Sequence, residues 1–313
     1  MKKKLKKILL GLIVVLVVAL GFVGNYFYNF ALNPQQSKSS VTSQDNDGKA
    51  KEDLTEVENW FDNNKEEITM DSVTKNKLVG YKFTNEKSNK WVVVVHGYTS
   101  KAREMAKFIK RFYDKGYNVF APDLIAHGKS EGDFYSMGGF DSDDLVNWVK
   151  KLSSENKNPE MALFGVSMGA ATVMNSLGKN LPENVKVFIE DSGYVSLTEE
   201  FTQQLKKLFN LPSFPVIPAA SAVTKVRAGY FLGNVDATEG LKNTKLPALI
   251  LHGAQDGFVP PENAEKAYNL ISSPKEKVVF PNSKHVKAER DYREQYWNTV
   301  FNFLDKYLKV EEK

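Results

Sequence analysis

The 313-residue sequence contains no cysteine and only four histidines. Without cysteine, neither a disulfide bond nor a lipid-modified cysteine can form. Histidines, cysteines and clustered carboxylates are the usual ligands of protein metal sites, and no such cluster stands out along the chain. No stretch has the glycine spacing of a phosphate-binding loop. We therefore expect a protein that folds on its hydrophobic core alone and uses no metal or other cofactor.

A general excess of positive charge is also missing. The formal net charge is +4, but five lysines stand within the first seven residues: Lys2, Lys3, Lys4, Lys6 and Lys7. Removing these five from the 42 lysines and arginines leaves 37 basic against 38 acidic side chains. No basic stripe remains to neutralise phosphates, so the sequence argues against nucleic-acid binding.

A long apolar run follows these lysines. Residues 8–24 carry no charge, and Tyr26, Phe27 and Tyr28 come next. About 20 apolar residues are enough to cross a bilayer, and a lysine cluster keeps its end in the cytoplasm. The alternative is a cleaved secretory signal, but no small-x-small cleavage site is evident. We expect residues 1–32 to be a cytoplasmic basic tip and an uncleaved single-pass anchor, with the rest of the chain outside the cell.

The remaining chain divides into a polar tether, residues 33–53, and a folded domain, residues 54–313. Short apolar runs alternate there with amphipathic stretches, which predicts an α/β fold with a doubly wound, mostly parallel sheet covered on both faces. The predicted strands are residues 78–84, 91–97, 117–123, 161–165, 185–191, 248–253 and 277–281. The predicted helices are residues 101–116, 141–152, 168–180, 262–271 and 293–308. A proline-containing insertion at about 192–246 indicates a small helical lid.

The stretch GVSMG, residues 165–169, lies between a predicted strand and a predicted helix. That context is typical of a nucleophile elbow, which presents a serine hydroxyl above the strand ends. Glycines on both sides suit the strained turn and the close approach of strand and helix. Ser167 is therefore the candidate nucleophile.

A serine hydroxyl needs a base, and His285 is the best candidate because it stands in a polar loop after the last predicted strand. The other histidines, His96, His127 and His252, are each followed by glycine near a strand end or in a loop, and we interpret them as turn residues. Asp256, after the preceding strand, is the preferred acid to orient the imidazole. The rival is Asp191, which could equally serve a structural hydrogen bond.

An acyl-transfer site also needs donors for the oxyanion. The backbone N–H of Tyr98, just past a strand end, and that of Met168, at the start of the helix after Ser167, are the predicted pair. The order Ser167, Asp256, His285 is the order in which a hydrolase elbow fold carries its triad.

Taken together, these residues resemble the α/β-hydrolase superfamily over roughly residues 66–308. The resemblance rests on HGY at 96–98, AHGKSEG at 126–132, GVSMG at 165–169, HGAQDGFVP at 252–260 and His285. With the N-terminal anchor, the sequence is most similar to membrane-anchored bacterial cell-surface serine hydrolases, within a group of carboxylesterases, lipases and serine aminopeptidases. Gln255 departs from the pattern, since many relatives have an acidic residue there.

The resemblance implies an extracellular serine hydrolase that cleaves small-molecule or lipid-like esters or thioesters through an acyl-enzyme. A peptidase or acyltransferase on the same triad is one alternative. A non-catalytic surface binding module is another, because fold alone does not imply activity. In the lid, five apolar residues share one helical face, which either packs on the core or roofs an acyl pocket: Leu197, Phe201, Leu205, Leu208 and Phe209.

Overall fold

The computed structural model describes residues 2–39, 52–86 and 88–308. Most of the predicted tether, residues 40–51, lies outside the described residues. An eight-stranded sheet in the order β1-β2-β4-β3-β5-β6-β7-β8 forms the centre, and the strands from β4 to β8 along this order pair in parallel. The predicted mostly parallel α/β sheet is confirmed. The strands are β1 Glu66–Asp71, β2 Lys77–Phe83, β3 Lys90–Val95, β4 Asn118–Pro122, β5 Glu160–Val166, β6 Val185–Asp191, β7 Ala248–Gly253 and β8 Lys275–Phe280.

Strand β1 is the one strand that the sequence pattern did not predict. It pairs antiparallel with β2 at the edge of the sheet, and its side chains are exposed or half-buried. An edge strand that buries little lacks the continuous apolar run by which the inner strands were recognised.

Two apolar cores cover the two faces of the sheet, as expected for buried parallel strands. The helices are α1 Lys2–Leu32, α2 Thr55–Asn64, α3 Ala106–Asp114, α4 Phe140–Glu155, α5 Met168–Ser176, α6 Leu197–Phe209, α7 Ser213–Ala228, α8 Thr238–Asn243, α9 Glu262–Leu270, α10 Ala288–Asp291 and α11 Arg293–Tyr307. Helices α6, α7 and α8 form the insertion between β6 and β7, which we call the lid.

Helix α1 is long and apolar enough to cross a membrane by length and composition. Its large apolar side chains from Leu5 to Val18, and Phe22, are exposed, whereas Tyr28 and Leu32 are buried in the core. The helix therefore has two parts: a long apolar stretch that is largely exposed, and a C-terminal end that packs against α7 of the lid. The sequence pattern did not indicate that second contact.

Candidate active site

Ser167 lies in a sharp turn between β5 and α5. Its backbone has φ 56° and ψ −119°, a conformation that L-residues rarely adopt outside functional turns. The flanking glycines allow this turn because there is no room for side chains: a Cβ on Gly165 would lie 2.4 Å from the Gly169 carbonyl oxygen. A Cβ on Gly169 would lie 2.2 Å from the carbonyl oxygen of Val95. The GVSMG stretch thus has the geometry of the predicted elbow.

The structure brings the three predicted side chains into one hydrogen-bonded chain. Ser167 Oγ lies 2.9 Å from His285 Nε2, and His285 Nδ1 lies 2.7 Å from Asp256 Oδ2. All three residues are buried. The arrangement permits the imidazole to accept the serine proton while the carboxylate fixes its tautomer.

Asp256 is held by more donors than His285 alone. Its Oδ1 accepts the backbone N–H groups of Phe258 and Val259, both at 2.9 Å. Burial raises the pKa of a carboxyl, but the charge of His285 and the hydrogen bonds from His252 and His285 outweigh it and hold the pKa of Asp256 at about 2. The side chain is therefore a carboxylate at every pH at which the protein would work.

Asp191, the rival acid, has other partners. Its Oδ2 accepts the Tyr296 hydroxyl at 2.7 Å, and its Oδ1 accepts the Ser192 hydroxyl at 2.8 Å. Burial raises the pKa of this carboxyl. The residue therefore anchors helix α11 and the turn after β6, whereas His285 Nδ1 faces Asp256.

The sequence interpretation of His252 as a simple turn residue was incomplete. Its Nε2 lies 2.9 Å from the Val259 carbonyl oxygen and 3.2 Å from Asp256 Oδ2. Burial lowers the pKa of His252, but the hydrogen bond and charge of Asp256 outweigh it and raise the pKa to about 9. The spacing of four residues to Asp256 was the available signal, but contact required the turn after β7 to fold back.

His96 and His127 make backbone contacts, as their interpretation as turn residues implies. His96 Nε2 accepts the N–H of Leu124 at 3.0 Å, and its Nδ1 lies 2.8 Å from the Gly97 carbonyl oxygen. His127 Nδ1 lies 2.8 Å from the Ile125 carbonyl oxygen.

The two residues predicted to supply oxyanion donors lie beside Ser167. Met168 is the first residue of α5, where a backbone N–H has no partner within the helix. Tyr98 follows Gly97, which lies close to the serine: an ideal Cβ on Gly97 would lie 3.3 Å from Ser167 Cβ. Both residues line the cavity above the serine. Their role as donors remains a prediction.

That cavity is almost wholly apolar and opens directly above Ser167. Four of the five predicted lid residues line it: Phe201, Leu205, Leu208 and Phe209. Leu197 instead lies fully buried in the core. The end of α1 also lines it, including Phe27, Phe30 and Ala31, all of which belong to the membrane anchor predicted for residues 1–32.

One polar side chain stands out in this cavity. Glu200 is buried, and its Oε1 accepts the Gln204 amide at 2.9 Å, while its Oε2 has no hydrogen-bond partner among the residues that the structure describes. Burial raises the pKa of Glu200 to about 7. This effect is larger than the opposite effects of the Gln204 amide and the charge of His285, which lower the pKa. No local sequence pattern indicated this carboxyl, because Glu200 stands on a helix among other charged residues. Among the described residues, no group of three or more histidine, aspartate or glutamate side chains could hold a metal ion.

Comparison with known proteins gives a consistent result. A family model described as serine aminopeptidase, S33, matches residues 86–228. The uncharacterized protein YqkD of Bacillus subtilis is 27% identical over 304 residues, which cover 96% of this chain and 98% of that protein. The uncharacterized protein YfhR of Escherichia coli K12 is 25% identical over 222 residues, 68% of this chain and 71% of its own.

Among solved structures, the esterase Pf2001 of Pyrococcus furiosus superposes with a TM-score of 0.63 at 23% identity. The match covers 83% of this chain and 95% of the esterase. At this identity the similarity shows a shared fold and nothing more.

Proposed function

Because this chain belongs to the α/β-hydrolase superfamily, we propose that it is a serine hydrolase that cleaves carboxylic esters or thioesters at the outer face of a cell membrane. The hydrogen-bonded chain from Ser167 through His285 to Asp256 carries the proposal. The strained turn at Ser167 and the apolar cavity above the serine also support the proposal.

In the proposed reaction, Ser167 Oγ attacks the ester carbonyl carbon while its proton passes to His285 Nε2. The N–H groups of Tyr98 and Met168 stabilise the negative oxygen of the tetrahedral intermediate. The imidazolium then gives its proton to the leaving alkoxide, or thiolate, as the bond to the acyl carbon breaks. Water attacks the acyl-enzyme with the same histidine as base, which releases the acid and restores the serine.

A fluorophosphonate probe tests the nucleophile. We expect the full-length protein in detergent to be labelled on Ser167 and the Ser167→Ala variant to remain unlabelled. Ser176→Ala, a serine in the next helix with no part in the proposed reaction, is the control. Labelling that survives Ser167→Ala would contradict the assignment.

A serine peptidase is the second candidate, because the matching family model is described as a serine aminopeptidase and because Glu200 offers a carboxyl in the cavity. A buried carboxyl could hold a substrate ammonium group. The apolar character of the other cavity residues favours acyl esters. A panel of acyl esters and aminoacyl amides separates the two: a preference for the amides over every ester would support the peptidase.

The membrane location is part of the proposal, and the apolar exposed stretch of α1 after the lysine cluster supports it. Protease added to intact cells should digest the folded domain, and the full-length protein should sediment with membranes. Soluble protein in the medium, beginning near Asn25, would instead indicate a cleaved signal.

A further inference from the structure

The end of α1 is built into the catalytic domain. The Tyr98 hydroxyl donates to the Ala31 carbonyl oxygen at 2.6 Å, and the Tyr135 N–H donates to the Leu32 carbonyl oxygen at 2.8 Å. Arg227 of the lid donates to the side-chain oxygens of Asn25 and Asn29, both at 2.8 Å. These bonds fix the helix against the lid and against the loops after β3 and β4.

The contact between α1 and α7 depends on a glycine. An ideal Cβ on Gly24 would lie 2.4 Å from the Ala219 backbone oxygen and 2.8 Å from Val223 Cγ2. Any side chain at that position would therefore push the two helices apart. Gly21, one turn earlier, has nothing within 4 Å of its ideal Cβ. The close packing begins between these two glycines.

The lengths of the two parts of α1 place the lid at the bilayer surface. The uncharged stretch from Ile8 to Phe22 has about 15 residues, or about 22 Å of helix, somewhat less than the hydrocarbon thickness of a bilayer, which is about 30 Å. The packed part begins directly after it. On the lid, Phe214 is 75% exposed and Val226 is 86% exposed, which suits a surface that meets lipid.

The cavity above Ser167 therefore begins where the lipid-exposed surface of α1 ends. Phe27, Phe30 and Ala31 form its wall on that side, and Leu205 and Leu208 face them from the lid. An acyl chain that left the bilayer along α1 would remain in contact with apolar side chains until it reached the serine, and its transfer would expose little apolar surface to water.

We propose that the substrate is an amphiphilic ester held in the outer leaflet, and that its acyl chain passes from the bilayer along the end of α1 into the cavity over Ser167. The membrane helix is then a part of the substrate site as well as an anchor. This inference rests on the proposed serine esterase activity and on the anchored topology.

The test compares two substrates on the full-length protein in vesicles of phosphatidylglycerol and phosphatidylethanolamine. One is 4-methylumbelliferyl palmitate dissolved in the vesicle membrane, and the other is the soluble acetate ester of the same alcohol. Gly24→Leu separates α1 from α7, and Gly21→Leu is its matched control. We expect Gly24→Leu to lower palmitate hydrolysis by about tenfold or more, as misplacement of a substrate by about 1 Å does, and to change acetate hydrolysis by less than about twofold.

A second pair keeps the test valid if Gly24→Leu fails to fold. Ala31→Trp fills the cavity from the α1 wall, and Ala19→Trp makes the same change on the exposed stretch. We expect the first variant to lose more palmitate hydrolysis than acetate hydrolysis, and the second to behave like the wild type with both esters.

Three results separate the proposals. Delivery along α1 is wrong, while the esterase activity stands, if Gly24→Leu and Ala31→Trp each change palmitate and acetate hydrolysis by the same factor. The same holds if the wild type hydrolyses the acetate but not the palmitate ester. If the wild type hydrolyses no ester at all, the proposed function itself is wrong.

Discussion

Ser167 lies between two regions that are built on different principles. The lower region contains the side chains of Ser167, His285 and Asp256. They stand on turns after β5, β8 and β7 and are joined by short hydrogen bonds. Above Ser167, the cavity is enclosed by the lid and by the end of α1, which hold apolar side chains and one incompletely paired carboxyl, Glu200. If the proposed function is right, the chemistry depends on turns at the carboxyl ends of the strands, whereas substrate choice depends on the lid and the end of α1.

The largest expected effect concerns the acid below the serine. Asp256→Asn should lower kcat by on the order of 10⁴-fold, because the amide favours the wrong tautomer of His285, while the fold is retained. Asp191→Asn is the matched variant, since Asp191 is an equally buried aspartate bonded to Tyr296. Steady-state kinetics and circular dichroism check both. A larger kcat loss in Asp191→Asn would reverse the assignment of the acid.

The elbow itself should be a sensitive backbone position. Gly169→Ala places a Cβ 2.2 Å from the Val95 carbonyl oxygen, and we expect it to lower the free energy of unfolding by about 3 kcal/mol, at the upper end of overpacking effects. Gly233→Ala is the control, because its nearest neighbour would lie 3.8 Å away. Thermal unfolding measures both. Equal melting temperatures would mean that strand and helix are not held as closely as described.

The upper region, formed by the lid and the end of α1, should make kcat/KM depend on the length of the acyl chain. Each added methylene that enters the cavity should contribute about 0.8 kcal/mol, which raises kcat/KM by about fourfold, until the cavity is full and the value falls. A series of p-nitrophenyl esters from acetate upward measures this in detergent. A flat series would show that the apolar residues of the lid serve packing alone.

The smallest effect should come from Glu200. Its folded-state pKa of about 7 lies above the ordinary 4.5, so the protonated carboxyl favours folding at acidic pH, and this contribution is lost as the pH rises through about 7. The wild type should therefore lose melting temperature between pH 5 and 8 relative to Glu200→Gln, which does not titrate.

The same ionisation puts a charge in the apolar cavity, near Asp256, His285 and Lys207. We expect the KM for medium-chain esters to rise several-fold above about pH 7 in the wild type and to stay constant in Glu200→Gln. If the two proteins show the same pH dependence in both KM and melting temperature, Glu200 is not the titrating group.

The sequence patterns indicated the three side chains that lie together in the lower region because each of them stands in a local pattern. Ser167 stands in a five-residue motif, and Asp256 and His285 follow apolar strands that the periodicity located. The upper region escaped prediction because its contacts join distant segments. Nothing local to Phe27 or Ala31 indicates that they meet a helix about 190 residues later, and Glu200 looks like a surface residue until α6 packs over the cavity.

The contact of α1 with the cavity also bears on how such a protein is prepared. A soluble fragment that starts after the tether, at residue 54, would lack Phe27, Phe30 and Ala31 and leave one side of the cavity open to water. If Ser167 is the nucleophile, we expect it to react in that fragment as well, so activity alone would not reveal the loss. The acyl-chain preference measured on that fragment would therefore reflect a cavity that is wider and more exposed to solvent than the cavity of the whole chain.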